Sequence, residues 1–423
     1  MAENEPETFA SLTISVNEKE PLESKEILVT VQSVSSEDSE QSIIGEPSPE
    51  TSPPETSPPK RTVADLAEYI EACHYSDETP PEKRVPIFNH GEGHYRPQLR
   101  HGRVNRILFY PGVFNPPHLS HQAVVNCAFA GCQDIGVVAA IVIPLGDRIT
   151  WRAFSRSATF DNAQRVRLWR GEDDAPHDWM WVYDGITDDW DEFYDKFNEM
   201  VARDGFEVEF LYLGGPDHIG KDYVTYYPWE CANLVVSDIG REASFVKEDG
   251  ALLDLVGHES WQTPDIPEST YPKKAEEMPA WLVNSLAVIT PGDKSDPEYI
   301  NKLYQGYMSR INGTRSCMGG PDRKDLWVRF IPAGENPVRV SATDVRRIIS
   351  ETPTEELLEK IKGLVMNPEV VVEMMDEFRK AGPLPSDSES SDEEEPDEEE
   401  PDEEESNEEE SNEEESEPTD ASL

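Results

Sequence analysis

The stretch Tyr110–His121, YPGVFNPPHLSH, decides how the chain is read. A short apolar run, Arg106 to Phe109, precedes it, and Gln122 to Gly131 follows with the look of an amphipathic helix. The order is strand, then a Gly/Asn/Pro turn, then a helix that opens with two histidines. Such a turn aims backbone N–H groups and the positive end of a helix at one spot, which suits phosphate. Gly112 permits close backbone approach or a positive φ at the strand end. Pro116 and Pro117 stiffen the turn. His118 and His121 are spaced i, i+3, so both project from one side of the first helical turn, each able to donate to a phosphate oxygen. Two plainer alternatives stand beside this reading. One is a half-built metal site, which lacks Cys or carboxylate ligands at useful spacing. The other is a pair of capping or packing histidines.

Working outward, strand and helix patterns alternate. Arg106–Tyr110 reads as a strand and His118–Gly131 as a helix. Gly136–Leu145, GVVAAIVIPL, is an unbroken β-branched run of the kind buried on both faces of a sheet. Helices are expected over Asp161–Arg170 and Asp189–Arg203, and strands over Asp178–Tyr183, Glu207–Leu213 and Asn233–Ser237. This alternation predicts an α/β fold, a Rossmann-like doubly wound parallel sheet. From about 247 to 324 prolines, charges and scattered aromatics blur the pattern, which reads as an insertion before the last strand; Trp281–Ile289 within it suits a helix or a strand. Leu326–Ala333 is that last strand, and helices are expected over Ser341–Ser350, Thr354–Val365 and Glu369–Lys380.

The ends are of another kind. The chain of 423 residues carries 37 basic and 87 acidic side chains, net −50. Residues 386–423 hold 22 Asp/Glu and no Lys/Arg, and residues 1–60 are net −10, which leaves −18 for the middle. That balance argues against a broad nucleic-acid-binding face, which needs a basic stripe, and leaves room for a local basic pocket. Residues 1–60 and 384–423 are too polar and self-repelling to build a core and are expected to be disordered. Residues 61–104 are expected to form a helix, Val63–Cys73, and a polar connecting arm, with the α/β domain spanning 105–383. The acidic C-terminal tail suits a basic protein partner, beside the plainer reading of a solubilising segment. Five scattered cysteines without a CxxC pair point away from disulfides and structural zinc, towards a reducing compartment, cytoplasmic or nuclear. No signal peptide or membrane span is expected. A monomer and an oligomer are both compatible with the sequence.

A second constellation lies far along the chain, at Arg339-Val-Ser-Ala-Thr-Asp-Val-Arg-Arg347. Ser341 and Thr343 suit a helix N-cap and first turn, and Asp344 suits the positive helix end. Arg346 follows, and arginine matches the fork of phosphate oxygens. By itself this is a capped helix with surface arginines. Together with the histidine turn, it gives one domain two helix N-termini for a polyphosphate.

GVFNPPHLSH resembles the GxFNPxHxGH motif of the nucleotidyltransferases, and VSATDVR resembles their C-terminal ISSTxxR motif. Gly214-Gly-Pro-Asp217 and Gln164-Arg-Val-Arg-Leu168 are similar to segments of the nicotinamide and nicotinate mononucleotide adenylyltransferases. The resemblance covers about 105–241 and 326–350. It implies transfer of AMP from ATP, with Mg²⁺, to a mononucleotide phosphate and release of pyrophosphate. His118 and His121 would contact the triphosphate. Ser341, Thr343 and Arg346 would hold the β- and γ-phosphates, and the N–H groups of Val113 and Phe114 would add donors beside Gly112. Asp217 would meet a sugar hydroxyl, unless it is a helix N-cap. A pyridine ring would stack on Trp229, with Trp181 and Trp190 as further candidates, unless these are core residues, and Arg148 would meet the second substrate's phosphate, unless it is a surface charge. The sequence departs from the pattern at Ser120, where the motif has glycine, at Ala342, where it has serine, in the longer GGPD segment and in the insertion. Those departures keep two alternatives open: a nucleotidyltransferase of this fold with another acceptor, phosphopantetheine or a cytidylyl-transfer substrate, and a non-catalytic nucleotide-binding scaffold.

Overall fold

The computed structural model describes residues 61–381, apart from 90, 92–93, 148–158, 172–176, 221–222, 225–230, 322 and 335–337, together with Ala10–Ile14 and Val29–Ser33. These last two strands pair antiparallel within a separate N-terminal unit. The main unit holds a seven-stranded sheet. Its strands are β1 (Val104–Gly112), β2 (Val137–Pro144), β3 (Met180–Val182), β4 (Glu207–Gly214), β5 (Asn233–Ser237), β6 (Arg315–Met318) and β7 (Trp327–Ile331). Their order across the sheet is β6-β7-β5-β4-β1-β2-β3. All neighbours are parallel except β6, which pairs antiparallel with β7 at the edge. The fold is α/β and Rossmann-like: the chain steps one way from β1 to β3, then returns to the other side of β1 with β4 and β5.

Alternation along the strands assigns each face its core. Leu108, Tyr110, Ala140, Val142, Leu211 and Leu213 point to one side, and Ile107, Phe109, Ile141, Ile143, Phe210 and Tyr212 to the other. Helices α1 (Leu66–His74) and α4 (Trp190–Arg203) supply residues to the second side, while α2 (Leu119–Gly131) and α3 (Asn162–Arg170) pack on the first. Asp65 caps α1 by accepting from Ala67 N–H at 3.0 Å. Val63–Asp65 pairs antiparallel with Gln98–Arg100. The arm after α1 is therefore more than a polar connection, since Ile87 and Phe88 are fully buried in the same core as α1.

One expectation needs correction. The stretch after the histidine turn is not amphipathic: α2 buries ten residues around its whole circumference. The reason is found in the segment expected to be an insertion. Trp281–Ile289 is helical, within α5 (Ala280–Ile289), and is followed by α6 (Pro297–Gly313). Both pack in the core cluster of α2. Asn126 donates to Ser285 O at 2.9 Å and Tyr307 OH to Ala130 O at 3.1 Å. Arg329 on β7 holds Asp134 at 2.8 and 3.0 Å, and Tyr271 OH donates to the same carboxylate at 2.8 Å. The segment 247–324 thus completes the main core and supplies the edge strand β6. Finally α7 (Ala342–Glu351), α8 (Thr354–Ile361) and α9 (Pro368–Ala381) form a third cluster with Phe160 and Leu168. That cluster anchors α7 beside α3 and so fixes the second helix N-terminus singled out in the sequence.

Candidate active site at the carboxyl ends of β1 and β4

A cavity of about 500 Å³ opens where the strand order reverses, between the ends of β1 and β4. Its lining joins Gly112, Val113, Phe114, His118 and His121 from the first motif to Ser341, Thr343 and Arg346 from the second, with Asp217 from the end of β4. Trp229 and Arg148 lie outside the described residues. Trp181 and Trp190 are 3% and 1% exposed and pack among Tyr183 and Phe193, so they are core residues rather than stacking surfaces for a ligand.

The turn after β1 is tightly made. Phe114 adopts a left-handed backbone, φ 43°, and the Asn115–Pro116 peptide is cis. The positive φ considered for Gly112 falls instead at Phe114. Gly112 is needed for space: a Cβ there would lie 2.6 Å from the Phe114 ring. The Phe114 ring itself sits edge-on to Tyr110, Trp169 and His121 at 5.0, 5.2 and 5.0 Å. Arg165 of α3, fully buried, donates to Val113 O at 2.7 Å, to Asp147 at 2.9 Å and to Asp161 O at 3.2 Å. Asn115 accepts from Phe160 N–H at 3.0 Å. Behind the turn, Leu119 N–H donates to Leu364 O at 2.9 Å.

His118 is the N-cap of α2 and His121 its third residue. Their rings stack at 3.6 Å, and His118 N–H donates to His121 Nδ1 at 3.3 Å. That bond makes Nδ1 of His121 the acceptor and leaves its proton on Nε2. His118 is 4% exposed and its Nδ1 has no partner. Burial, and then the charge of Arg346, push the His118 imidazole down to about 4. Burial, and then His118, hold His121 well below its ordinary value. Both rings are neutral at physiological pH, so each offers a single N–H donor.

The second motif closes the cavity from the other side. Ser341 caps α7, its Oγ accepting from Asp344 N–H at 3.5 Å. Arg346 donates to Thr343 Oγ1 at 3.1 Å and to Asn115 O at 2.7 Å, which ties α7 directly to the turn after β1. On the β4 side, Pro216–His218 is a short turn whose N-cap is Gly215, so Asp217 lies within it rather than capping a helix. The Asp217 carboxylate lies 3.5 Å from Arg241, and both side chains are exposed. No group of three or more His, Cys, Asp or Glu side chains suited to a metal ion occurs among the described residues.

Sequence reading did not single out Asn115, Arg165, His218 or Arg241, all of which line or brace the cavity. Asn115 stands inside the quoted motif and Arg165 inside the similar QRVRL segment, so both had a signal. His218 and Arg241 follow their strands with no distinguishing pattern.

Neither a protein-family model nor a curated protein sequence matches the chain. Among solved structures, it is similar to the Plasmodium falciparum nicotinic acid mononucleotide adenylyltransferase complexed with APC, at 10% identity and a TM-score of 0.28, over 65% of this chain and 96% of that chain. A similarity of that degree assigns neither a family nor an activity.

Proposed function

We propose that the chain is a nucleotidyltransferase that transfers AMP from MgATP to the phosphate of nicotinamide or nicotinate mononucleotide, releasing pyrophosphate. One observation carries this reading. Two motifs more than 200 residues apart line one cavity, and Arg346 of the second bonds Asn115 of the first. An oxygen of the acceptor phosphate attacks the α-phosphorus in line. A P–O bond forms there, the bond to the β-phosphate bridge breaks, and the electron pair leaves with pyrophosphate. No covalent enzyme intermediate is needed, and the protein contributes positioning and charge stabilisation. His118 and His121 donate neutral N–H bonds near the α-phosphate. The α7 N-terminus, Ser341 and Thr343 receive the β- and γ-phosphates, and Arg346 supplies the fixed positive charge. Mg²⁺ belongs to the triphosphate substrate, where it neutralises phosphate charge while keeping much of its water shell. Asp217 serves a ribose hydroxyl at the acceptor side.

A screen of pyrophosphate release tests this, with ATP and CTP each crossed against both pyridine mononucleotides, phosphopantetheine and phosphocholine. Release with ATP and a pyridine mononucleotide is expected. Release only with another pair would move the acceptor assignment, and no release with any pair would overturn the activity.

A further inference from the structure

We propose that Ser120 is a positioning residue that locks the α7 phosphate cradle against the histidine turn; the role rests on the nucleotidyltransferase reading above. Ser120 is 3% exposed, so its hydroxyl faces protein. It donates to Val338 O at 3.0 Å and accepts from Val340 N–H at 2.7 Å. Val338–Val340 is the strap that leads into α7, and the residue after Val340 is Ser341, the cap of that helix. One hydroxyl therefore holds both strands of hydrogen-bonding on the strap. The bonds close a ring: from Ser120 through Val340 and Ser341 into α7, then through Arg346 to Asn115 and back along the turn to α2. A glycine at 120 has no atom with which to make either bond.

The loop after β5 is shaped around this serine. Gly240 has φ 83°, and a Cβ built on it would lie 2.9 Å from the Ser120 Cβ. Arg339, between the two strap residues, reaches Glu242 of the same loop at 2.5 Å. The strap is thus pinned from two directions, at its backbone by Ser120 and at its exposed side by Glu242. Ser120 also borders the cavity, and in this scheme its hydroxyl is taken up by the two strap bonds. Its effect is confined to the phosphates that α7 receives, the β and γ, while the α-phosphate and adenosine depend on the histidine turn.

Calorimetric titration separates these parts, with inorganic pyrophosphate, the α,β-methylene analogue of ATP, and AMP as probes. Ser120→Ala is expected to weaken pyrophosphate and the ATP analogue by about tenfold, with AMP within about twofold of wild type, because two half-buried backbone groups of the strap lose their shared partner. AMP binding on the same sample reports that the turn is folded. Ser120→Cys keeps the packing against Gly240 but offers only a weak donor and acceptor, and is expected to shift in the same direction; it carries the test if the alanine variant does not fold. Wild-type affinity for pyrophosphate in both variants, or an equal loss for all three probes, would overturn the role. A wild-type protein that binds neither pyrophosphate nor the ATP analogue would overturn the underlying reading, and the role with it.

Discussion

Replacing His118 by alanine separates chemistry from structure. The backbone bond that holds His121, from His118 N–H to Nδ1, survives the substitution, as does the main-chain bond from Leu119 to Leu364. What is lost is one buried, neutral N–H donor. By analogy with other transition-state donors, turnover is expected to fall about 100-fold, or about 2.7 kcal/mol of barrier. Stability against pH gives an independent readout. The His118 imidazole is pushed from 6.5 down to about 4, chiefly by burial. The folded state therefore favours the neutral ring. This contribution is fully present above pH 6.5 and is lost as pH falls through the folded value. At pH 4 that loss amounts to about 3 kcal/mol. Asp184 titrates lower: its burial raises it, but bonds from His74 and Arg170 outweigh this and hold it at about 2, so its loss falls below this window. His121 remains in both proteins. Urea unfolding of wild type and His118→Ala at pH 7 and pH 4 is expected to show the variant gaining about 3 kcal/mol relative to wild type on acidification. Parallel loss in both proteins, or unchanged turnover in the variant, would refute the reasoning.

Other substitutions probe the frame of the site. Gly112→Ala places a Cβ 2.6 Å from the Phe114 ring; it is expected to cost about 1–3 kcal/mol in denaturant unfolding, as overpacking does, and to raise KM for ATP. Arg165→Met leaves the Val113 carbonyl without its buried donor, so a loss of about 2 kcal/mol of stability is expected, together with reduced turnover; an unaltered kcat would show that α3 does not brace the turn. Removing residues 386–423 takes away 22 acidic side chains, and kcat and KM measured at moderate salt are expected to stay at the full-length values.

The sheet was legible because its central strands carry the period and composition of strands buried on both faces, as in Val137–Pro144. The site was legible where motif residues have a local steric or capping job, at Gly112, which leaves space for the Phe114 ring, and at the capping serine Ser341. The segment 247–324 was not. Its helix α5 packs on α2, and α6 on α5 and on β7, and prolines and charges between them hide that spacing. The same packing explains the misread α2, since a helix covered on its outer side has no polar stripe to display. Ser120 stood out as a departure from the resembled motif, but its bonds to Val338 and Val340 join residues some 220 positions apart. No local pattern encodes such a pairing.

The central claim is that the histidine turn and the α7 N-terminus grip one triphosphate. The most direct test is a double-mutant cycle on binding of the α,β-methylene ATP analogue, using His121→Ala, Arg346→Ala and the pair together. Each single variant is expected to weaken binding about tenfold or more, and the double variant to depart from the sum of the two by more than about 0.5 kcal/mol, as groups sharing one ligand do. Strict additivity with one single variant binding like wild type would contradict the account.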